Sequence, residues 1–141
     1  MAFKVLHVDH LGIAVDDVEK TKNLFQETLG LVPTPEYEII EEQKVKVCFF
    51  PCGDAQLEFL ESTTPDGPIA RFIEKNGGKN GIQHMALRVD NLEAALEDLK
   101  ARGVRLLDEK PRYGAGGEMI AFLHPKATNG ILVELCQPIE K

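Results

Sequence analysis

The chain has 141 residues, which suits one ordinary domain or two very small ones. Its 16 basic and 23 acidic side chains give a formal net charge of −7, which argues against non-specific nucleic-acid binding because phosphates attract a positive field. Its apolar stretches are far shorter than the roughly 18 residues of a membrane span, and no signal peptide is recognised at its start. Three cysteines without a C-x-x-C motif favour a reducing, cytoplasmic location.

An internal repeat organises the sequence. Residues 10–19 resemble residues 84–93 at a constant offset of 74, and residues 56–59 resemble residues 132–135 at an offset of 76. Two similar blocks in the same order indicate two copies of one unit. The predicted limits are 1–141 for a single domain, about 5–76 for module one and about 81–138 for module two.

Each module is predicted to contain a strand, a helix and three further strands, so the fold class is α+β with two tandem βαβββ modules. An acidic capping box opens each helix, and a glycine follows it where a left-handed residue is expected. These positions are Asp16, Glu19 and Gly30 in module one, and Asp90, Glu93 and Gly103 in module two. The predicted strands are about 6–15, 31–40, 44–51 and 55–61, then about 82–89, 104–110, 118–124 and 131–136. Pro68 opens an extra helix near 68–76.

Four polar side chains are predicted to share one face of these strands. Because strand side chains alternate, Glu58 points away from its apolar neighbours, which should pack under a helix. Glu134 bears the same relation to its neighbours in module two. His10 and His84 also oppose apolar residues. One histidine and one glutamate from each module are therefore expected to converge on one point.

Two imidazoles and two carboxylates at one point favour a divalent metal, because the carboxylates otherwise repel each other. Mixed nitrogen and oxygen donors suit Co, Mn, Ni, Fe or Zn better than Ca or Mg. The predicted metal ligands are His10, Glu58, His84 and Glu134. Gln56 shares the strand face of Glu58 and is the alternative ligand. His7 and His124 have no counterpart in the repeat and are interpreted as structural residues or as supports for the ligands.

The paired modules and this His–Glu–His–Glu set resemble the vicinal oxygen chelate superfamily and, within it, the methylmalonyl-CoA epimerases. The segments that carry the resemblance are 8–15, 66–76, 81–86, 122–126 and 130–135. The resemblance implies two βαβββ modules that form a U-shaped mixed sheet around a divalent metal, with cobalt as the first choice and Mn, Ni or Zn as alternatives. It also implies a homodimer, and it allows Gln in place of Glu58 in some members.

The resemblance further implies epimerisation of (2R)- and (2S)-methylmalonyl-CoA by proton transfer at C2 through a metal-stabilised enolate. Glu134 matches a residue proposed in that family as both ligand and base. Lys46 aligns with the second proposed base, where some members have Glu, and it is either that acid/base or a cation for the substrate carboxylate. The glycine-rich loop 114–117 either offers backbone N–H groups to the carboxylate or is a flexible hairpin connection. The expected partner is an acyl-CoA, with no nucleic acid and no membrane.

Three other functions share parts of this pattern. A glyoxalase I-type lactoylglutathione lyase uses the same ligand set and the same proton chemistry, but the Pro68 helix and the block 122–126 favour the epimerase. A metal-dependent oxygenase normally has two histidines and one carboxylate, so a fourth ligand argues against it. A metal-free binding module is disfavoured because all four ligand positions are intact.

Overall fold

The computed structural model describes residues 1–139, so the last two residues of the predicted 1–141 domain lie outside the described residues. Its helices and strands confirm the α+β class and the βαβββ plan of both modules. The strands are β1 Val5–Ala14, β2 Glu38–Ile40, β3 Val45–Cys52, β4 Ala55–Ser62, β5 Gly81–Val89, β6 Arg112–Tyr113, β7 Glu118–Phe122 and β8 Val133–Pro138. The helices are α1 Val18–Leu29, α2 Pro68–Lys75 and α3 Leu92–Ala101. Across the described part of the chain, no helix has both the length and the apolar character that a bilayer span needs.

The chain divides into two compact units. The first unit contains His10–Gln83, and its strands pair in the order β2-β3-β4-β1. The second unit contains Met1–Asp9 with the residues from 84 onward, and its strands pair in the order β5-β8-β7-β6. Strand β1 runs parallel to β4, and β5 runs parallel to β8, whereas the neighbouring pairs β3–β4 and β7–β8 are antiparallel. The strand pairing within each unit is therefore mixed.

The first nine residues belong to the second unit, although the repeat places residues from about 5 in module one. The Lys4 N–H donates to the Asp90 carboxylate at 2.8 Å, and the Asp90 N–H donates back to the Lys4 carbonyl at 3.1 Å. Phe3 is buried in the core of the second unit. Backbone pairing and apolar burial together tie this segment to the chain that follows residue 84.

The helix caps fall one residue later than the capping boxes predict. Helix α1 begins after Asp17, whose side chain accepts the Lys20 N–H at 3.0 Å, and α3 begins after Asn91. The predicted cap residue Asp16 instead binds Asn80, donating its N–H at 3.0 Å and accepting from the amide Nδ2 at 3.2 Å. Because Asp16 is committed to this contact, the next residue takes the capping role.

Two predicted strands are wrong in extent. The segment 31–40 forms only the three-residue strand β2, because Pro33 and Pro35 lack the N–H groups that strand pairing requires. The segment 104–110 forms only a single bridge at Leu106, and the corresponding strand is the later, two-residue β6. Both shortened strands lie at the outer end of the strand order of their unit.

Each unit has an apolar core on the helix side of its strands. In the first unit, the Phe25 ring of α1 meets the Phe59 ring of β4 edge-on, with 4.7 Å between centroids. In the second unit, Leu96 of α3 is buried in the same cluster as Leu135 of β8. Burial of such side chains is the main stabilising term in folding. The opposite strand face of each unit carries the predicted ligands of that unit, which are His10 and Glu58 in the first and His84 and Glu134 in the second.

Candidate functional site

In the first unit, His10 of β1 and Glu58 of β4 lie on the strand face opposite the core. Gly12 pairs with Glu58 in the register, and alternation along β1 then puts His10 on the same face. His10 Nε2 lies 3.5 Å from Glu58 Oε1, and the two side chains are only 7% and 6% exposed. Gln56, the alternative ligand, shares this face beside His10 but is only half-buried.

In the second unit, His84 of β5 and Glu134 of β8 repeat this arrangement. Ala86 pairs with Glu134 in the register, so His84, two residues earlier on β5, shares their face. His84 Nε2 lies 3.6 Å from Glu134 Oε1, and both side chains are buried. The Phe122 ring meets the His84 ring edge-on, with 5.4 Å between centroids. The two His–Glu pairs therefore have nearly the same geometry at equivalent positions of the repeat.

The donor chemistry of both pairs suits a divalent metal. Two ligand atoms that each lie 2.0–2.2 Å from one ion are at most about 4.4 Å apart. The observed separations of 3.5 and 3.6 Å meet this limit. A bound cation stabilises buried carboxylates, because burial in a low-dielectric environment disfavours their charged form. His10, Glu58 and His84 are accordingly among the buried side chains that could hold a metal ion.

A second buried charge cluster lies further along this face of the second unit. Arg88, four residues after His84 on β5, places Nη2 2.7 Å from Asp9 Oδ1 and 2.9 Å from Glu118 Oε1. Burial raises the pKa of Glu118, and Asp9 raises it further, while Cys136 and Arg88 act in the opposite direction. No sequence pattern indicates this cluster, because its members are 79 and 30 positions apart and follow no repeat.

Arg88→Met is expected to lower the free energy of unfolding by about 3–5 kcal/mol at pH 7, because two buried carboxylates lose the cation that they share. The raised pKa of Glu118 means that the folded state holds this proton more tightly than the unfolded state, so stability falls as pH rises above about 4.5. Without Arg88 the pKa of Glu118 should rise further. The loss in the free energy of unfolding should therefore be larger at pH 7 than at pH 4.5.

Urea denaturation at both pH values measures this effect. Arg102→Met is the matched control, because Arg102 forms an ion pair with Asp98 on the exposed surface of α3. Its effect should stay within about 0.5 kcal/mol. Equal losses for Arg88→Met at the two pH values would contradict the expected role of Glu118.

The structure does not bring Lys46 to the strand face of Glu58. Lys46 pairs with Glu61 and shares the face of Cys48, which is buried in the helix-side core of the first unit. Its Nζ lies 4.2 Å from the centroid of the Tyr37 ring. The β3 residues on the face of Glu58 are apolar and buried: Val45, Val47 and Phe49.

The other two histidines have local contacts. His124 Nδ1 accepts the Lys126 N–H at 3.0 Å and so caps the short turn that follows. Desolvation, Arg105 and Lys126 together lower the pKa of His124. His7 Nδ1 lies 2.9 Å from the Val8 carbonyl oxygen on the exposed part of β1. These contacts agree with the structural interpretation of both residues.

The loop 114–117 forms a tight turn before β7. The Gly114 N–H donates to the Glu118 carbonyl at 2.9 Å, and a side chain at position 114 would meet Ile120 at 2.7 Å. Gly116 and Gly117 both have φ of +73°, a left-handed conformation that favours glycine. The glycines are thus explained by the geometry of the turn itself.

Comparison with known proteins relates this fold to one superfamily. The model of the Glyoxalase/Bleomycin resistance protein/Dioxygenase superfamily matches residues 9–122. The uncharacterized protein YqjC of Bacillus subtilis (strain 168) is 43% identical over 131 residues, which cover 93% of this chain and 91% of that protein. The ethylmalonyl-CoA/methylmalonyl-CoA epimerase of Cereibacter sphaeroides is 39% identical over 132 residues, with 92% and 96% covered.

Among solved structures, a methylmalonyl-CoA epimerase in complex with methylmalonyl-CoA and NH4+ superposes with a TM-score of 0.87. It is 33% identical to this chain, and the alignment covers 96% of both. The likeness therefore extends through both βαβββ modules.

Proposed function

We propose that this chain, which belongs to the glyoxalase/bleomycin resistance protein/dioxygenase superfamily, is a divalent-metal-dependent methylmalonyl-CoA epimerase. The observation that carries the proposal is the buried His–Glu pair repeated in both units of a chain whose relatives include named epimerases. The reaction interconverts the (2R) and (2S) substrates by moving a proton at C2. The glyoxalase I-type alternative is not favoured, since the substrate-bound structure that matches both modules is an epimerase.

We propose that the two His–Glu pairs bind one ion jointly. The proposed ligands are His10, Glu58, His84 and Glu134. The similar geometry of the pairs supports this, because two half-sites related by a repeat are suited to one shared ion. When bound, the ion supplies stabilisation of the negative charge that develops on the substrate oxygens. Cobalt is the first choice that the family resemblance implies, and Mn, Ni and Zn are alternatives that equally suit mixed nitrogen and oxygen donors.

In this proposal Glu134 moves the proton. Its carboxylate, on a side chain that is 4% exposed, accepts the C2 proton, a transfer that requires the carboxylate to lie within hydrogen-bond reach of that proton. Phe122, the register partner of Glu134, lies against the His84 ring and shields this side of the site from water. Return of the proton to the original face of C2 gives isotope exchange only, whereas delivery to the opposite face gives the epimer. Epimerisation therefore requires a second proton donor.

Lys46 is the second acid/base proposed from the sequence, and its position in the structure allows a sharp test. Because its ammonium lies over Tyr37 on the opposite face of β3 from Glu58, we expect Lys46→Met to lower the epimerisation rate by less than about tenfold. Lys22→Met is the matched control, because Lys22 Nζ lies 4.9 Å from the same Tyr37 ring. Chiral analysis of both substrates measures the rate.

A collapse of epimerisation in Lys46→Met alone, with α-proton exchange retained for one stereoisomer, would instead establish Lys46 as the second acid/base. A raised KM with equal loss of exchange from both stereoisomers would assign Lys46 to binding of the substrate carboxylate. In either case the first unit must rearrange so that Lys46 reaches the face of Glu58.

The proposed function is tested with (2R)- and (2S)-methylmalonyl-CoA in deuterated buffer. Each stereoisomer should gain deuterium at C2 and lose its chirality, as detected by mass spectrometry and by a stereospecific coupled assay. Propionyl-CoA, which lacks the carboxylate that lets the substrate chelate an ion, should exchange far more slowly. Binding of methylmalonyl-CoA without any exchange at C2 would contradict the proposed reaction.

We also propose that the two units form one domain, which predicts a single cooperative unfolding transition. Two chains are proposed to form a homodimer. Light scattering after size-exclusion chromatography measures the latter. A cytoplasmic location is supported by the free cysteines, of which Cys48 and Cys136 are buried and Cys52 is exposed.

A further inference from the structure

Arg112 lies on the strand face that carries the His–Glu pair of the second unit, His84 and Glu134. In the register of the second unit, Arg112 pairs with Ile120 across β6 and β7, and Phe122 pairs with Glu134 across β7 and β8. Paired residues share a face, and Ile120 and Phe122 share one because they are two positions apart on β7. Arg112 therefore lies on the same side of the strands as His84 and Glu134.

The guanidinium of Arg112 is held beside Phe122. Its Cζ lies 5.6 Å from the centroid of the Phe122 ring, and its Nε donates to Asp108 Oδ1 at 3.1 Å. The other oxygen of Asp108 accepts the Phe122 N–H at 2.9 Å, so one carboxylate fixes both residues. The Phe122 ring in turn lies 5.4 Å from the His84 ring. The Arg112 Cζ therefore lies at most about 11 Å from the centre of the His84 ring, since both distances are measured to the centroid of the Phe122 ring.

The outer edge of this guanidinium is available to a ligand. Within residues 1–139, its hydrogen bonding to protein is through Nε to Asp108, and the Arg112 side chain is 44% exposed. The two Nη groups of arginine form a planar fork that binds carboxylate or phosphate oxygens in pairs. A fork fixed by a carboxylate and a ring loses less conformational entropy on binding than a free side chain does.

We propose that Arg112 binds an anionic oxygen group of the acyl-CoA substrate. The group is either the carboxylate on C2 or a phosphate of the CoA portion, which share the chemistry that the fork recognises. The identity of the substrate rests on the proposed function, whereas the placement of Arg112 against Phe122, on the strand face of His84 and Glu134, rests on the structure alone. Arg112 would thus be a substrate-binding residue, and only contact with the carboxylate on C2 would let it discriminate among acyl-CoA molecules, because all of them carry the CoA phosphates.

Calorimetric binding of three ligands to the wild-type protein and to Arg112→Gln tests this role. Methylmalonyl-CoA has both anionic groups, propionyl-CoA lacks the carboxylate, and methylmalonyl-pantetheine lacks the CoA phosphates. Arg112→Gln should weaken methylmalonyl-CoA binding by about tenfold or more, the scale of a charged hydrogen bond. If the group is the carboxylate, the loss recurs with methylmalonyl-pantetheine only; if it is a phosphate, the loss recurs with propionyl-CoA only.

Arg102→Gln is the matched control. Arg102 has the same side-chain exposure of 44% and a similar ion pair with Asp98, but it lies at the end of α3. The Arg102→Gln protein should bind all three ligands with wild-type affinity. That result would show that binding is weakened by loss of the Arg112 fork and not by loss of any one positive charge. Arg112→Lys keeps the charge without the fork and should bind methylmalonyl-CoA more weakly than the wild type.

Wild-type affinity for methylmalonyl-CoA in a folded Arg112→Gln protein would overturn the assignment of Arg112 and leave the proposed function standing. Equal weakening by Arg102→Gln would also overturn it, because the effect would then be that of net charge. Failure of the wild-type protein to bind methylmalonyl-CoA would overturn the proposed function as well. Thermal unfolding of each variant establishes that it is folded.

Discussion

Replacing either His10 or His84 with alanine is expected to abolish stoichiometric binding of a divalent metal and, with it, epimerisation. Loss of a residue that merely supports a ligand commonly costs 10–100-fold in metal affinity, so loss of a ligand itself should cost more. Both variants should stay folded, because each histidine lies on the strand face opposite the apolar core. Elemental analysis after cobalt loading and dialysis measures the metal, and far-UV circular dichroism measures the fold.

His7→Ala and His124→Ala are the controls, since both histidines have local contacts away from the proposed ligands. Each control variant should retain one ion per chain. Two ions in the wild-type protein, with one lost in each ligand variant, would show two separate sites and would overturn the joint site. Retention of metal by Glu58→Ala together with its loss in Gln56→Ala would move the ligand assignment to Gln56.

Strand alternation and the repeat were sufficient to predict the two His–Glu pairs. A period of two residues fixes the face of a side chain once its strand is known, and β1, β4, β5 and β8 all include their predicted ligands. The repeat then identified the equivalent pair in the other module. Alternation gives the face of each side chain and the repeat relates the two modules, so the two patterns together predict these pairs.

Contacts that the repeat does not duplicate were not predictable in the same way. Arg88, Asp9 and Glu118 meet only because their strands assemble in one unit, and no equivalent set of charges occurs in the other module. The helix caps moved for the same reason: Asp16 is engaged by Asn80, which lies 64 positions away. For Lys46, alternation correctly groups its side chain with Cys48, but it does not determine which face of β3 meets the helix-side core.

Glu134→Gln is expected to reduce turnover by on the order of 10²-fold or more at saturating metal, the scale for loss of a positioned base. Glutamine keeps an oxygen that can still act as a ligand, but its amide does not accept a proton from C2. Metal affinity should therefore weaken only in part. Turnover is measured at increasing cobalt concentrations, so that weaker metal binding is separated from the loss of the base.

Glu58→Gln is the matched variant, because Glu58 occupies the equivalent place beside His10 in the first unit, with nearly the same distance between imidazole and carboxylate. If Glu58 serves only as a ligand, this variant should recover most of its turnover once metal is saturating, whereas Glu134→Gln should not. Similar residual turnover in both variants would mean that the carboxylates share the proton transfer, one on each face of C2. Full turnover in Glu134→Gln would remove Glu134 from the proton transfer and would leave it as a ligand alone.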